Sequence, residues 1–523
     1  MPKNHRNIIN ACFATLCAGI LFFSANSTMR DITTQQLVED MGLGINIGNT
    51  FDAVIECDMV NEVPDQGCVN WVNSMATLEE SWGSPAITRQ MIQGYKAAGF
   101  KTVRVPVAWS NKMVGDNIAD NIITCDAGQC ISSATQLGGD YTISPVLLNR
   151  VQEVVDLIIN EGMYVILNIH WDGGWWDNFP TKYDESMKKY VRIWEQVGER
   201  FKNYSDYLVF ASLNEEGGDW AGVTEERSFE ILNAINQAFV NEIRSQGGNN
   251  AERHLQIQGY KTNIDKTCSP LFKMPVDLHL KTDQPARLAV SVHYYDPFSF
   301  THISEPVNWG GWIQPRTTWG TDADYKELDD YMDKMKINFV DKGIPVIIGE
   351  YGVASWDATF QREQASVRLY TLAVTEAILA RKMHPVLWDV QLNTSTTDWE
   401  GNPRVPDVRY YYDRNTASFV DPLMVAGFIE LNETYKVSVR EIPINKKPAA
   451  MRPMISLRGK TLNVLSPVNS NIQVKVIDVK GKVRASFKSK GSASFSLSKM
   501  PAGKYFVEVK AAGVKSTSPI VLK

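Results

Sequence analysis

The amino-acid sequence predicts an α/β fold, a barrel of eight parallel strands covered by helices, with a small antiparallel β-domain behind it. Between residues 31 and 435, short apolar stretches alternate with amphipathic helical ones. In the helical stretch SMKKYVRIWEQVGERFKN, Tyr190, Trp194 and Val197 recur at steps of four and three, which gives one buried helix face. Near-continuous apolar strands that alternate with such helices are typical of parallel strands covered by helices.

Eight strand candidates lie in this part of the chain, and eight strand–helix units indicate a (β/α)₈ TIM barrel. Each candidate is apolar at its start and polar at its end. Catalytic residues of such barrels lie at the carboxyl ends of the strands, so we expect these polar ends to meet at one rim. The candidates are GLGINIGN (42–49), TVRVPVAW (102–109), YVILNIHW (164–171), LVFASLNE (208–215), HLQIQGY (254–260), LAVSVHYY (288–295), PVIIGEY (345–351) and PVLWDV (385–390).

The amino terminus has the pattern of an export signal. Lys3 and Arg6 precede an apolar run and the small residues ANST, which is typical of a signal peptide. An uncleaved membrane anchor is the alternative, and no later stretch is apolar and long enough to cross a bilayer. We therefore expect an exported protein, secreted or attached to the cell surface. The predicted parts are a signal peptide over 1–27, the barrel domain over 30–435, a linker over 436–453 and a β-domain over 454–523.

The carboxyl-terminal part of the chain is strongly basic. From Arg452 to Lys523 there are fourteen Lys and Arg and two acids, a charge of +12, which leaves −18 on the remainder of a chain whose net charge is −6. Alternating runs such as IQVKVIDV and KYFVEVK predict a small antiparallel β-sandwich. A basic patch can bind nucleic acid, but we exclude nucleic acid for an exported protein. A carbohydrate-binding module is disfavoured because this part has no Trp and one Tyr.

The cysteines predict two local disulfides. Cys57 and Cys68 lie close together in one loop-like region, and Cys125 and Cys130 lie close together in another. In an oxidising compartment such pairs are expected to be bonded, and Cys268 is expected to be free. Zinc is the rival interpretation, but no His lies near either pair.

Two carboxylates at the predicted rim suggest a particular chemistry. Glu215 follows the fourth strand and Glu350 follows the seventh. A pair of carboxyl groups on either side of one bond is what the hydrolysis of a glycoside requires, with one group protonated and the other ionised. Arg104 would favour the ionised form of a neighbouring carboxylate, and Tyr295 could hold that carboxylate by a hydrogen bond.

Other strand-end residues fit sugar binding. Asn214 is placed to bind the 2-hydroxyl of a sugar, and Trp388 offers a flat face to a sugar ring. Taken singly, His170 and His293 are more often core histidines, but their common position at strand ends favours a site. Two loops rich in Gly and Trp, HWDGGWWDNFP and VNWGGWIQPRTTWG, are expected to line an extended groove.

These motifs resemble glycoside hydrolase family 5, and most closely its subfamily 4 of endoglucanases and xyloglucanases. The motifs include GINIGNTFDA, EGMYVILNIHWDGG, LVFASLNE, SVHYYDP, IPVIIGEYG and VLWDV, and the resemblance runs from about residue 35 to 435. It implies retention of configuration, no metal and no cofactor, with Glu215 as acid/base and Glu350 as nucleophile. The remaining substrate-binding set is predicted to be Arg104, His170, Asn214, His293, Tyr295, Trp388, Asn49 and Trp175.

The tail resembles the C-terminal sorting domains of type IX bacterial secretion cargo, through PAGKYFVEV above all. The resemblance implies that the export machinery is a partner of this domain.

Two positions depart from the family pattern. Glu216 stands where the family usually has Pro, and a third carboxylate beside Glu215 would disfavour the ionisation of that neighbour. We favour the alternative that Glu216 points into the start of the following helix, where negative charge is stabilised. Trp171 stands where the family often has a second His, which predicts a stacking surface in place of a polar contact.

Together these observations predict a secreted, monomeric endo-β-1,4-glucanase that acts on cellulose, mixed-linkage β-glucan or xyloglucan. A β-mannanase or xylanase on the same barrel is one alternative. A non-catalytic polysaccharide-binding surface protein is another, and a metal-dependent barrel hydrolase is a third. The last is disfavoured because the sequence has no His-x-His or clustered Asp and His ligand set.

Overall fold

The computed structural model describes most of residues 29–436 and 453–522. The predicted signal peptide and nearly all of the predicted linker lie outside the described residues. The described ranges are 29–53, 56–60, 63–64, 78–80, 82–114, 123–126, 129–132, 137–216, 218, 220, 222–280, 287–353, 362–391, 411–436, 453–458, 460–465, 471–478, 482–511 and 514–522.

A closed barrel of eight parallel strands forms the larger part of the fold, as predicted. Each strand pairs with the next along the chain, and the last pairs with the first. Three of the predicted polar residues lie near the ends of their strands, namely Arg104, His293 and Glu350. The others follow the strand ends and begin the loops at the rim, namely Asn49, His170, Asn214, Glu215, Tyr295 and Trp388. The strands are β1 (Leu43–Asn46), β2 (Phe100–Val105), β3 (Tyr164–Asn168), β4 (Leu208–Ala211), β5 (Leu255–Gln258), β6 (Leu288–Tyr294), β7 (Val346–Tyr351) and β8 (His384–Leu387).

Helices cover the outside of the barrel. In the described residues, a helix of at least two turns follows every strand but β5, which is followed by the one-turn helix Ile264–Thr267. The amphipathic stretch singled out in the sequence is one of these helices, and its apolar residues are buried against the strands. The long helices are α1 (Thr34–Asp40), α2 (Arg89–Ala97), α3 (Pro145–Asn160), α4 (Tyr183–Phe201), α5 (Glu225–Ser245), α6 (Asp322–Asn338), α7 (Gln364–Ala380) and α8 (Pro422–Lys436).

Helix α1 closes the amino-terminal end of the barrel. It begins with a capping box in which Thr33 and Gln36 exchange side-chain and backbone hydrogen bonds. Its apolar residues Leu37 and Val38, with Met41 just behind them, are buried in one cluster with inward-facing strand residues. Those strand residues are Tyr164, Ile166, Val209, Ala211, Ala289, Ile347 and Val386. The opposite, carboxyl-terminal end of the barrel therefore carries the polar rim.

The carboxyl-terminal domain consists of antiparallel sheets, as predicted. One sheet has three strands in the order β9–β10–β13, and the other has four in the order β12–β11–β14–β15. Alternate side chains of β11 and β14 are buried in an apolar core shared with β10. The strands are β9 (Met454–Arg458), β10 (Thr461–Leu465), β11 (Asn471–Asp478), β12 (Val483–Lys490), β13 (Ala493–Ser496), β14 (Gly503–Ala511) and β15 (Val514–Leu522).

The predicted disulfides stay predictions. A small sheet formed by segments that follow β1 and β2 in the chain contains Cys57, Cys125 and Cys130. The side chains of these three residues, and all of Cys68, lie outside what the structure describes. Cys268 is a free, half-buried thiol, which confirms that prediction. Within the described part of the chain, no helix combines the length and apolar character that a membrane crossing requires.

The packing of α1 gives a prediction about stability. Leu37→Ala removes a fully buried side chain from the closed end of the barrel and should lower the free energy of unfolding by about 2–4 kcal/mol. Urea unfolding followed by Trp fluorescence measures the change. Glu39→Ala, on the exposed face of the same helix, is the matched control and should unfold like the wild type. An equal effect of the two substitutions would contradict the closing role of α1.

Candidate active site

The two predicted carboxylates face each other at the rim of the barrel. Glu215 lies in the loop that follows β4, and Glu350 lies near the end of β7, in register with His293 on β6. One oxygen of each carboxylate and one ring nitrogen of His293 lie within 4.8 Å of one another. The sequence placed the carboxylates at strand ends, and the closed barrel brings those ends together.

A fully buried arginine joins four strands beneath this pair. Arg104 on β2 donates from Nη1 to Glu350 Oε1 at 2.7 Å and to Asn46 Oδ1 at 2.8 Å. Its Nη2 donates to Asn214 Oδ1 at 2.6 Å. A buried charge requires a charged and hydrogen-bonded partner, and Glu350 supplies the charge. The arginine thereby fixes both Glu350 and Asn214.

The second oxygen of Glu350 has its own donor. The hydroxyl of Tyr295 donates to Glu350 Oε2 at 2.9 Å, and His293 Nδ1 lies 3.6 Å from the same oxygen. Glu350 is 4% exposed, so these groups and Arg104 replace most of the water around the carboxylate. Such an environment suits a carboxylate that is held in a fixed orientation.

Glu215 differs from Glu350 in its access to water. Half of its side chain is exposed, and its Oε1 lies 2.6 Å from His293 Nδ1. His293 therefore contacts both carboxylates, bonded to Glu215 and 3.6 Å from Glu350. The pair is asymmetric, with one carboxylate enclosed and one reachable from outside.

Trp388 and His170 form a flat aromatic wall beside the carboxylates. Their rings stack with centroids 5.6 Å apart and planes 5° apart. A Cβ on Gly48 would lie 2.7 Å from Trp388 Cζ2, so the indole packs directly on the glycine backbone. Burial, and then the charge of Arg104, lower the pKa of His170 well below its usual value, so the ring is neutral.

The predicted role of Trp175 in substrate binding is wrong, because this indole is fully buried. Its Nε1 donates to Asp172 Oδ2 at 2.8 Å, and its ring stacks on Trp176 at 3.9 Å. Asp172 also accepts from the backbone and hydroxyl of Ser110, and so ties the loops after β2 and β3 together. In the same loop Trp171 is the exposed indole, 39% accessible and next to His170.

Asn46, three residues before the predicted Asn49, contacts Arg104, as Asn214 also does. Asn46 Nδ2 also donates to the carbonyls of Gly349 and Leu387, which links β1 to β7 and β8. Asn49 is joined through its backbone N–H to Asp52 Oδ2 at 3.0 Å and has a left-handed φ of 55°. The position along the strand distinguishes the two asparagines, because Asn46 is the last residue of β1 and Asn49 lies beyond its end.

The expectation for Glu216 is also corrected. Helix α5 begins only at Glu225, so Glu216 does not lie at a helix start. Its carboxyl turns back and accepts the backbone N–H of Asn214 at 3.0 Å. Burial above all, with a smaller contribution from the charges of Glu215 and Asp172, raises the pKa of Glu216 to about 8, although backbone hydrogen bonds at Glu216 and Asn214 act in the opposite direction. Glu216 is therefore a neutral acid near neutral pH and holds the turn that carries Asn214 and Glu215.

Among the described residues, one group of side chains that could bind a metal ion lies close together, namely Glu215, His293 and Glu350. The donor atoms of the set are engaged in hydrogen bonds with one another and with Arg104 and Tyr295. The guanidinium 2.7 Å from Glu350 opposes a second positive charge at this point. The contacts fit a proton-transfer site better than a metal site.

Comparison with known proteins identifies the family to which this chain belongs. Residues 64–394 match the family described as Cellulase (glycosyl hydrolase family 5), and residues 458–523 match the Secretion system C-terminal sorting domain. The chain belongs to glycosyl hydrolase family 5 and is a glycoside hydrolase. Both resemblances seen in the sequence are confirmed.

Several relatives are similar over most of the barrel. Endoglucanase A of Paenibacillus barcinonensis is 34% identical over 417 residues, which are 75% of this chain and 93% of that protein. The xyloglucan-specific endo-β-1,4-glucanase of Bacteroides ovatus is 32% identical over 379 residues, 70% of this chain and 66% of that protein. A solved GH5-4 broad specificity endoglucanase from an uncultured bovine rumen ciliate is 33% identical with a TM-score of 0.59, and the match covers 77% of this chain and 99% of that one.

The burial of Glu216 predicts a pH-dependent stability. Between its ordinary pKa of 4.5 and about 8, this carboxyl ionises in the unfolded chain while it stays protonated in the folded one. The folded state therefore loses stability as pH rises through this range, by up to about 5 kcal/mol. Glu216→Gln cannot ionise and keeps an acceptor for Asn214, so it should become more stable than the wild type at pH 9.

Thermal unfolding at pH 5, 7 and 9 measures this effect. The gain in Tm of Glu216→Gln over the wild type should grow with pH, whereas the exposed control Glu39→Gln should show no such trend. A difference in Tm that stays constant from pH 5 to pH 9 would show that Glu216 is ionised in the folded chain.

Proposed function

We propose that this chain is an exported endo-β-1,4-glucanase that cleaves internal bonds of a β-1,4-glucan with retention of configuration. The observation that carries the proposal is the pair Glu215 and Glu350, with oxygens within 4.8 Å of each other. Retaining glycosidases have carboxyl groups about 5–5.5 Å apart, whereas inverting ones need about 6.5–9.5 Å to admit a water molecule. The short separation favours direct attack by a carboxylate.

Glu350 is the proposed nucleophile. Arg104 and Tyr295 each donate a hydrogen bond to one of its oxygens, so the carboxylate is held in one orientation. Its electron pair attacks the anomeric carbon, an ester bond forms, and the bond from that carbon to the leaving oxygen breaks. The enclosed position of Glu350 limits the reorganisation that this step requires.

Glu215 is the proposed acid and then base. Its exposed carboxyl gives a proton to the leaving oxygen as the glycosidic bond breaks. In the second step it takes a proton from water, which attacks the anomeric carbon and releases Glu350. The hydrogen bond to His293 Nδ1 keeps the carboxyl within reach of both events.

Asn214 and Trp388 are proposed to bind the sugar that is attacked. Because Asn214 Oδ1 accepts from Arg104, its amide N–H groups are the ones left for a sugar hydroxyl. Trp388, backed by the neutral ring of His170, supplies a rigid face for the ring of the sugar. His170 thus acts as a support for the indole.

A β-1,4-glucan is the proposed substrate class because of the relatives. The Paenibacillus relative is named an endoglucanase, and the Bacteroides relative is named a xyloglucan-specific endo-β-1,4-glucanase. Cellulose, mixed-linkage β-glucan and xyloglucan therefore rank above mannan and xylan. The non-catalytic alternative loses support because Glu215, Glu350 and their hydrogen-bond partners are all in place.

Export is proposed from the two ends of the chain. The match of residues 458–523 to a secretion sorting domain supports recognition by an export machinery, and the signal-like residues 1–27 support passage across a first membrane. The protein would then act at the cell surface or in the medium, where its polysaccharide substrate is found.

Glu350→Gln tests the nucleophile. The amide keeps the size of the side chain but cannot attack, so hydrolysis of soluble β-glucans should fall to background. The chain should still fold, with a lower free energy of unfolding because buried Arg104 loses its charged partner. Reducing-end release and circular dichroism measure the two properties, with Glu39→Gln as an exposed control. Full activity of Glu350→Gln would overturn the mechanism.

Glu215→Ala tests the proton donor. Without general acid catalysis, hydrolysis of β-glucan should fall by about 10²–10⁴-fold. A dinitrophenyl β-cellobioside needs no proton on its leaving group, so its first step should stay fast and the slow second step should produce a burst of dinitrophenol. Stopped-flow absorbance detects the burst. Equal losses on both substrates, without a burst, would show that Glu215 is not the acid.

A further inference from the structure

A second arginine is buried at the rim, where the loops after β1 and β8 meet. Arg414 lies in the turn of a hairpin formed by Tyr412–Asp413 and Ser418–Phe419, and its side chain has no exposure to water. Its Nη2 donates to the carbonyls of Gly48 and Asp389, each at 3.0 Å. The backbone N–H of Gly48 also donates to the carbonyl of Asp389 at 3.0 Å. The guanidinium therefore joins the two loops.

Two buried carboxyl groups interact with this guanidinium. Asp389 Oδ2 lies 3.6 Å from Arg414 Nη2, and Asp389 Oδ1 accepts the backbone N–H groups of Tyr411 and Tyr412. Burial raises the pKa of Asp389 and of Asp52 to about 6, and the charge of Arg414 is one of the interactions that oppose the rise at both carboxyls. A buried cation needs such fixed partners, so the charge of Arg414 holds this set of groups together.

The same groups support the indole of Trp388. The indole packs on Gly48 so closely that a Cβ there would lie 2.7 Å from Trp388 Cζ2. The ring that stacks on the indole belongs to His170, whose Nε2 lies 3.9 Å from Asp52 Oδ2. Arg414 thus bonds to the glycine against which the indole packs, and its charge acts on the carboxyl beside the stacked histidine.

We propose that Arg414 is a positioning residue for the sugar that Glu350 attacks, and that it acts through Trp388. The inference rests on the proposed function, in which the indole stacks on that sugar. Arg104 contacts Glu350 directly, whereas Arg414 bonds to the backbone of the two loops that hold the indole. A shift of the indole moves the anomeric carbon away from the nucleophile, and a misplacement of about 1 Å can cost about 100-fold in rate.

A double-mutant cycle with Trp388→Ala tests this role. Arg414→Met keeps a side chain of similar length but removes the charge and the bonds to the two carbonyls. It should lower kcat/KM on dinitrophenyl β-cellobioside by about 10–100-fold. In the Trp388→Ala background, the same substitution should change kcat/KM by less than about twofold, because the indole through which Arg414 acts is gone. Arg414→Lys keeps a charge and a donor and should recover part of the loss.

Arg381→Met is the matched control for the loss of a buried arginine. Arg381 is 6% exposed and forms ion pairs with Asp329 and Asp333 of α6, on the outside of the barrel. Its replacement should lower Tm, as Arg414→Met should, but leave kcat/KM unchanged. Circular dichroism shows whether each variant is folded at the temperature of the assay, and thermal unfolding measures the loss of stability.

The outcomes separate this inference from the proposed function. If the wild type hydrolyses no β-glucan, or if Trp388→Ala is fully active, the proposed function or its sugar contact fails and the inference fails with it. If Trp388→Ala is impaired and the two losses multiply in the double variant, Arg414 acts independently of the indole and the inference alone is overturned.

Unchanged kcat/KM of a folded Arg414→Met variant would also overturn the inference, because the arginine would then contribute stability only. If Arg414→Met does not fold, the same cycle with Arg414→Lys decides. Its smaller loss should likewise disappear in the Trp388→Ala background, and a loss that persists there would contradict the role proposed for Arg414.

Discussion

The buried guanidinium of Arg104 is the interaction on which the catalytic rim depends. It lies on β2 and contacts Asn46 at the end of β1, Asn214 after β4 and Glu350 on β7, so one side chain ties four strand ends together. A cation without exposure to water is tolerated only when its partners are fixed. The hydrogen bonds that stabilise the buried guanidinium therefore also orient the carboxylate of Glu350 and the amide of Asn214, which the chemistry uses.

The different roles proposed for the two carboxylates follow from their different surroundings. Glu350 is enclosed by donors, and Glu215 keeps half of its surface in water with His293 beside it. An enclosed anion suits bond formation, and a group in contact with solvent suits the exchange of protons with a departing sugar and an arriving water. His293 touches both carboxylates, so the geometry of one constrains the other.

The sequence predicted the barrel and the positions of Glu215, Glu350 and Arg104, because alternating strands and helices leave few topologies and strand ends must meet. It failed where the answer depends on packing. Nothing in HWDGGWWDNFP distinguishes the buried Trp175 from the exposed Trp171, since the hydrogen bond between Trp175 and Asp172 depends on the folded conformation of the loop. The turn taken by Glu216 was missed for a similar reason, because the helix that was expected to follow begins nine residues later at Glu225.

The helix that seals the barrel has a consequence for how the chain matures. Leu37 and Val38 precede every strand in order of synthesis, yet their burial needs residues from β3 to β8. A nascent or truncated chain that lacks Val386 cannot complete this contact and leaves apolar surface wet. The amino-terminal helix is therefore fully buried only once the last barrel strand is in place, and until then its apolar residues stay exposed to water.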